Sequence, residues 1–284
     1  MAMYEPGLLR AFVAVVEHGS FTRAAQVLHL TQSTVSQQVR RLEEDVGQPL
    51  LEREGGVRPT AAGERLLGYA RRLLALGAEA RAAMAGEAPQ KILRLGLPED
   101  LAGALLTPVL AAFARAQGDG LRLEVSSGLS AELLAGYRRG EFDVVLAKQR
   151  QGDGAFSWPE RVVWVDSRAH PCWGRDPLPL AVFPEGGLYR EEMFEALDAR
   201  HLRWRIAYSS RSLASLRAAV AEGLGVSLLP ERAVRAGHRV LGRAEGLPTG
   251  HPMRLVLHHR GEASASTRAL VARLVRRCEA LVQG

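Results

Sequence analysis

Apolar residues first recur at helical spacing close to the N-terminus. Leu8, Leu9, Phe12, Val15 and Val16 share one face of a segment from Gly7 to Glu17, which predicts an amphipathic helix ended by His18-Gly19. Ser20 stands where the cap of a second helix belongs, and Phe21, Ala24, Ala25, Leu28 and Leu30 supply its apolar positions. After a polar break, a third run starts at Thr31-Gln32-Ser33. Val35, Val39 and Leu42 point inward there, and Gln32, Ser33, Ser36, Gln37 and Arg40 lie on the opposite face. A short helix, a tight turn and a helix with an amide, hydroxyl and guanidinium face predict a helix-turn-helix. Amides and hydroxyls read base edges in the major groove, and arginine reads guanine or grips phosphate. The same pattern also fits a helical hairpin with a solvated polar face.

Gly47-Gln48-Pro49 then turns the chain. Leu50 to Arg53, a glycine turn at Glu54-Gly55-Gly56 and Val57-Arg58-Pro59 predict a short hairpin, or wing, with Arg53 and Arg58 placed for DNA phosphates. Thr31 and Thr60 are further candidates for the DNA backbone, and Thr60 also caps the segment that follows. From Ala61 to Met84 the composition is continuously helical, with Leu66, Leu67, Ala70, Leu73, Leu74 and Gly77 as a stripe. About 25 residues of helix span roughly 37 Å. An apolar face of that length needs a partner, either its own domain or a second copy of the chain. Gly86 to Gln90 reads as a hinge. The predicted domains are therefore 1–60, a linker helix with its hinge at 61–88, and 89–284.

Beyond Lys91 the rhythm becomes strand, helix, strand: Ile92–Leu97, Leu101–Ala116, Leu121–Ser126, Ala131–Arg139 and Val144–Ala147. It repeats at Leu178–Phe183, Tyr189–Ala199, Trp204–Ser209, Leu213–Glu222 and Val226–Leu229, and closes with Met253–His258 and a helix over Thr267–Val282. This alternation predicts an α/β domain with a parallel sheet covered by helices. In such sheets ligands settle beyond the carboxyl ends of strands, at helix N-termini. Three turns qualify: Gly96 to Asp100 with Pro98, Glu99 and Asp100; Ser127-Gly128-Leu129-Ser130; and Tyr208 to Ser212 with Ser209, Ser210 and Arg211. Ser130 and Ser212 also read as plain N-caps. Glu99 or Asp100 facing a cleft favours a cation or amine, whereas Arg211 can pair a carboxylate, so the ligand's sign stays open.

Composition changes the picture less than its headline suggests. The chain has 284 residues, 47% of them apolar, and a formal net charge of +6. Residues 1–60 nevertheless hold six arginines against seven acids, so the DNA reading rests on side-chain placement and not on bulk charge. No long apolar window predicts a membrane span, and the start lacks the pattern of a signal peptide, so a cytoplasmic protein is expected. Cys172 and Cys278 match no metal or redox spacing and read as reduced thiols. The eight histidines are scattered, and no glycine-rich loop precedes a lysine. Neither an enzyme, nor a metal site, nor a cofactor is expected.

The stretch AFVAVVEHGSFTRAAQVLHLTQSTVSQQVRRLEEDVGQPLLER, Ala11 to Arg53, resembles the DNA-binding module of LysR-type transcriptional regulators. Within that family it is most similar to the subgroup that includes repressors of motility and exoenzyme production. The family has phenylalanine where this chain has Leu51 and leucine where it has Pro59, a departure within the wing. The resemblance implies a winged helix-turn-helix, an antiparallel dimer through the linker helix, and a two-lobed α/β effector domain like periplasmic solute-binding proteins. It places the three turns above, together with Gly225, in a cleft between lobes. The implied partners are double-stranded operator DNA, a small-molecule effector, further copies of the chain in dimers or tetramers, and RNA polymerase. A solute-binding module with an accessory helical N-terminal domain is the alternative.

Overall fold

The computed structural model describes residues 4–52, 56–85, 91–118, 120–247, 253–260 and 264–283. Two compact units emerge: Met1–Ile92 with Asp119–Arg122 and Ala135–Glu141, and then Leu93–Gly118, Leu123–Leu134 and Phe142–Gly284.

The first unit opens with α1 (Pro6–His18), α2 (Phe21–Leu28) and α3 (Gln32–Val46). Leu8, Leu9, Phe12 and Val15 of α1 meet Ala24 and Ala25 of α2 and Val35, Val39 and Leu42 of α3 in one core. Ser20 accepts the Arg23 N–H at 3.3 Å, and Thr31 accepts the Thr34 N–H at 3.1 Å, so both helices start on side-chain caps. Gly47, at φ 77°, closes α3 in the left-handed region that a side chain resists. Leu30 departs from the sequence expectation. His29 ends α2 in a left-handed conformation, the Leu30 N–H bonds back to the Ala25 carbonyl at 2.9 Å, and the Leu30 side chain is left 41% exposed.

The wing forms as a two-residue ladder, β1 (Leu51–Glu52) against β2 (Arg58–Pro59), with Leu51 opposite Pro59. Proline has no N–H to donate, and a strand with a free outer edge tolerates it. Glu43 roots the wing on α3 by accepting the N–H groups of Leu50 (2.8 Å) and Leu51 (3.2 Å). Arg53 and the tip of the glycine turn, like the hinge at Gly86–Gln90, lie outside the described residues. In α4 (Ala61–Met84) the predicted stripe divides. Leu66, Leu67 and Ala70 are buried in the N-terminal core, whereas Tyr69, Leu73 and Leu76 are 63, 47 and 63% exposed.

After α4 the described chain resumes with β3 (Lys91–Pro98), which enters the second unit at Leu93, then a short turn of helix α5 (Glu99–Leu101), a π-helical stretch over Ala102–Leu106 and α6 (Thr107–Gln117). The single helix expected at Leu101–Ala116 is thus interrupted, with the non-helical backbone at Gly103. Next come β4 (Leu121–Gly128), α7 (Ser130–Arg138), β5 (Val144–Gln149), β6 (Phe156–Glu160), β7 (Val162–Ser167) and β8 (Leu178–Val182). The chain continues through α8 (Leu188–Asp198), β9 (Trp204–Ser209), α9 (Leu213–Ala221), β10 (Ser227–Pro230), β11 (His238–Leu241), β12 (Met253–His259) and α10 (Ala265–Gln283).

The sheets are mixed, which corrects the wholly parallel expectation. A five-stranded sheet runs β4-β3-β5-β12-β6, with β3 and β5 parallel but β12 antiparallel to both β5 and β6. A three-stranded sheet, β10-β7-β11, is antiparallel, and β8 pairs β9 in parallel. Strands β6, β7 and β11 have no counterpart in the sequence reading. Pro159 argues against a strand at β6, and it is admissible because β6 is an edge of its sheet.

Alternation along β7, β8 and β10 explains why helices cover both sides. Val162, Trp164, Leu180, Val182 and Leu228 pack with Tyr189, Met193 and Leu197 of α8. Val165, Ala181 and Leu229 pack instead with Leu213, Leu216 and Val220 of α9. Asp166, fully buried on β7, accepts the N–H groups of Cys172 (2.9 Å) and Trp173 (3.1 Å) and pairs with Arg239 at 3.0 Å. Among the described residues no helix is long and apolar enough to cross a membrane.

Gly63, in the first turn of α4, is a tight point of the N-terminal unit. A Cβ there would lie 2.0 Å from the Leu50 carbonyl oxygen, a backbone atom with little room to retreat. Gly63→Ala is expected to cost about 1–3 kcal/mol, as overpacking generally does. Hydrogen–deuterium exchange across α1–α3 would speed up accordingly, and unchanged protection would contradict this packing.

Candidate nucleic-acid interface and ligand cleft

Packing fixes one side of α3 and leaves the other open. Val35, Val39 and Leu42 are fully buried, while Gln32, Ser33, Gln37 and Arg40 are exposed and Ser36 is half-buried. The Gln32 and Gln37 amides make no hydrogen bond among the described residues. Arg40 pairs with Glu44 at 3.3 Å, but a solvent-exposed i,i+4 pair is weak enough to exchange for another anion. Thr31 is committed locally: its hydroxyl caps Thr34 and bonds the Ser33 hydroxyl at 2.9 Å. Arg58 is exposed on the wing. Thr60, a candidate for the DNA backbone, spends its hydroxyl inside the fold. It donates to the Pro49 carbonyl at 2.8 Å and accepts the Gly63 N–H at 3.0 Å.

In the second unit a cavity of about 260 Å³ opens at the strand-to-helix turns. Of the residues singled out from sequence, Pro98, Glu99, Asp100, Ser127, Gly128, Leu129 and Arg211 line it. Ser209, Ser210 and Gly225 do not. Ser209 is paired with Val182 in the β8–β9 ladder, and the Ser210 N–H bonds the Val182 carbonyl at 3.1 Å. Gly225 is pressed on the backbone of β8, where a Cβ would sit 2.7 Å from the Leu180 carbonyl carbon, so close approach is its role. Ser130 also differs from the expected cap: its hydroxyl accepts the Lys148 N–H at 2.8 Å.

Four charged side chains cluster at the cavity, Asp100 and Lys148 in its lining and Glu160 and Arg232 in contact with them. The Lys148 ammonium is 2.7 Å from Asp100 and 3.5 Å from Glu160. The Arg232 guanidinium pairs with Asp100 and, at 2.7 Å, with Glu160. Asp100, Lys148 and Glu160 are buried, two acids balance two bases, and the Tyr189 hydroxyl donates to Glu160 at 2.8 Å. Lys148 also sits 4.7 Å from the centre of the Tyr189 ring. Burial alone would raise the Asp100 carboxyl, but Lys148 and Arg232 outweigh it and hold it below its ordinary value. Higher in the cleft, Arg211 pairs with Glu132 at 2.9 Å, and that hydrogen bond keeps the Glu132 carboxyl low despite its exposure.

Two family models account for nearly the whole chain: the bacterial regulatory helix-turn-helix of the lysR family over residues 6–64, and the LysR substrate binding domain over residues 86–279. The chain belongs to the LysR family of transcriptional regulators. It is 34% identical over 248 residues to the HTH-type transcriptional regulator DgdR of Burkholderia cepacia, covering 86% of this chain and 84% of the relative. It is 32% identical over 244 residues to PecT of Dickeya dadantii, covering 85% and 77%. A solved structure of the full-length LTTR LysG from Corynebacterium glutamicum, with bound effector Arg, matches with a TM-score of 0.65 and 25% identity over 97% of this chain and 98% of that one. This LysR-type protein is a DNA-binding transcriptional regulator with a substrate-binding effector domain, and DNA, a small-molecule effector and its own copies are its partners.

Several cleft residues of this LysR regulator escape sequence reasoning: Lys148, Phe183, Gly187, Leu188 and Tyr189 line the cavity, and Glu160 and Arg232 are in contact with Lys148 and Asp100. One signal was available. Of 37 basic residues only Lys91 and Lys148 are lysines, and Lys148 follows directly on the apolar run of β5. Cys172 and Cys278 are free and buried, and burial pushes both thiols up, Cys278 to about 12.

Asp100→Asn is expected to cost about 3–5 kcal/mol, because it leaves buried cations short of a counter-charge. All four tryptophans, Trp158, Trp164, Trp173 and Trp204, belong to the second unit, so denaturant unfolding followed by fluorescence reads it directly. With its pKa lowered, Asp100 stabilises the fold above the ordinary carboxyl value of 3.8, and this contribution fades as pH falls through the lowered value. A variant as stable as the parent at neutral pH would contradict the role given to Asp100.

Proposed function

We propose that α3 lies in the major groove of operator DNA, with Gln32, Ser33, Ser36, Gln37 and Arg40 meeting base edges. The carrying observation is that α3 buries three valine and leucine side chains completely while the Gln32 and Gln37 amides on its other face make no hydrogen bond among the described residues. Thr31, at the N-terminus of α3, together with Arg53 and Arg58 of the wing and Thr60 behind it, set the register on the phosphates. Thr60 acts through the backbone it positions. Residues 1–60 form the DNA-binding domain, 61–88 the linker and hinge, and 89–284 the effector domain.

Tyr69, Leu73 and Leu76 form an i, i+4, i+7 stripe on the exposed side of α4, which supports pairing of two copies along this helix. Dimers assemble further into tetramers. A small molecule in the cleft changes how paired heads are spaced on DNA, and with it the DNA bend or the access of RNA polymerase. The protein acts in the cytoplasm and without catalysis of its own, a reading supported by relatives that are transcriptional regulators.

Gln32→Ala is expected to reduce discrimination between operator and random duplex by about 1–3 kcal/mol, while Arg58→Ala weakens both alike. Fluorescence anisotropy on the two duplexes separates these effects, and undiminished discrimination by Gln32→Ala would remove it from the groove. The double variant Leu73→Glu, Leu76→Glu is expected to be monomeric by light scattering and to lose about tenfold or more in operator affinity, since paired heads bind with avidity. A stable dimer with both substitutions would place the seam elsewhere.

A further inference from the structure

The charges around the cleft do not cancel. Asp100 is neutralised by Lys148 and Arg232, Glu160 by the same two cations, and Arg211 by Glu132. Glu99 differs. Its carboxylate accepts the Leu213 N–H at 3.0 Å and the Ser212 hydroxyl at 3.3 Å, and it has no cationic partner among the described residues. Two consequences follow. The amide at the N-terminus of α9, where an anionic ligand would be received, is already occupied by an acid of the chain itself. One uncompensated negative charge also stands on the wall of the cavity, whose other lining includes the apolar side chains of Leu129, Phe183 and Leu188.

We propose that the cleft takes an organic monocation, a primary amine or guanidine on an apolar body, with its head paired to Glu99 and its body against Phe183 and Leu188. The proposal rests on the cleft being the effector site. Each Glu99 oxygen accepts one hydrogen bond in the fold, and a carboxylate oxygen has a second lone pair for an N–H donor of the ligand. A carboxylate ligand meets the opposite situation: it must displace Glu99 from the helix terminus or approach it as a like charge.

The test is calorimetric titration of the full-length protein with matched sets that share a body and differ in head: phenethylamine against 3-phenylpropionate, and butylamine and butylguanidine against pentanoate. At least one cation is expected to bind at one per chain and at least tenfold more tightly than its partner. Glu99→Gln should erase that preference, and Glu99→Ser should admit the carboxylate. Denaturant unfolding of these variants, followed by tryptophan fluorescence, reports separately that their second unit is folded. Equal affinity within the sets, preference for carboxylates, absence of cation binding, or cation binding indifferent to Glu99→Gln would each overturn the proposal. Ser127→Trp, which fills the cavity, separates this from the underlying reading. Carboxylate binding that Ser127→Trp abolishes leaves the cleft as the effector site and removes only the charge selection. Binding of either class that survives Ser127→Trp shows that the cleft is not the site.

Discussion

Asp100, Lys148, Glu160 and Arg232 gather four formal charges at one cavity, and removing such groups from water is costly unless each meets its opposite. The four come from four places in the chain: the turn after β3, the end of β5, the edge strand β6 and the turn after β10. Their mutual neutralisation works only if the five-stranded sheet and the β10 segment hold one fixed geometry. Tyr189 adds α8 to the same arrangement through its bond to Glu160. The architecture of the cleft therefore follows from a charge-pairing constraint as much as from apolar packing. The shape of the cavity and the sign of its lining are two aspects of that constraint.

The DNA-binding head is built the other way. Its core is apolar, with α1, α2 and α3 contributing small or branched side chains at helical spacing, and the polar groups inside it serve as caps and anchors. Glu43 shows how few polar bonds are needed: one carboxylate oxygen receives two backbone N–H groups and thereby roots the wing on α3. With the head held by burial, the amides of Gln32 and Gln37 make no hydrogen bond among the described residues, which leaves them free for the base contacts proposed above. Arg40 and Glu44 are an exposed pair that costs little to open.

Much of this was legible from the residues. The three N-terminal helices, the caps at Ser20 and Thr60, the wing and the linker helix follow from periodicity and turn chemistry, and the LysR resemblance of Ala11–Arg53 gave the function. The turns carrying Glu99, Ser127 and Arg211 were placed correctly as neighbours of helix N-termini, and the structure brings these three to one cavity. Less visible were Leu30, turned outward by the left-handed His29, and the mixed strand directions, because a run of β-branched residues reads the same either way. Strand β6 hid behind Pro159.

Sequence by itself determined what depends on neighbours a few positions away: the apolar faces of α1 and α3, where most helices begin and stop, and which residue types stand at the turns. Whether an acid at such a turn is neutralised was decided only in three dimensions. Asp100 and Glu99 are adjacent in the chain and alike in chemistry, yet one is paired with cations from positions 148 and 232 while the other bonds the N-terminus of α9. The local pattern cannot separate them, since the electrostatic partners lie tens of residues to more than a hundred residues away and meet only when the sheets assemble.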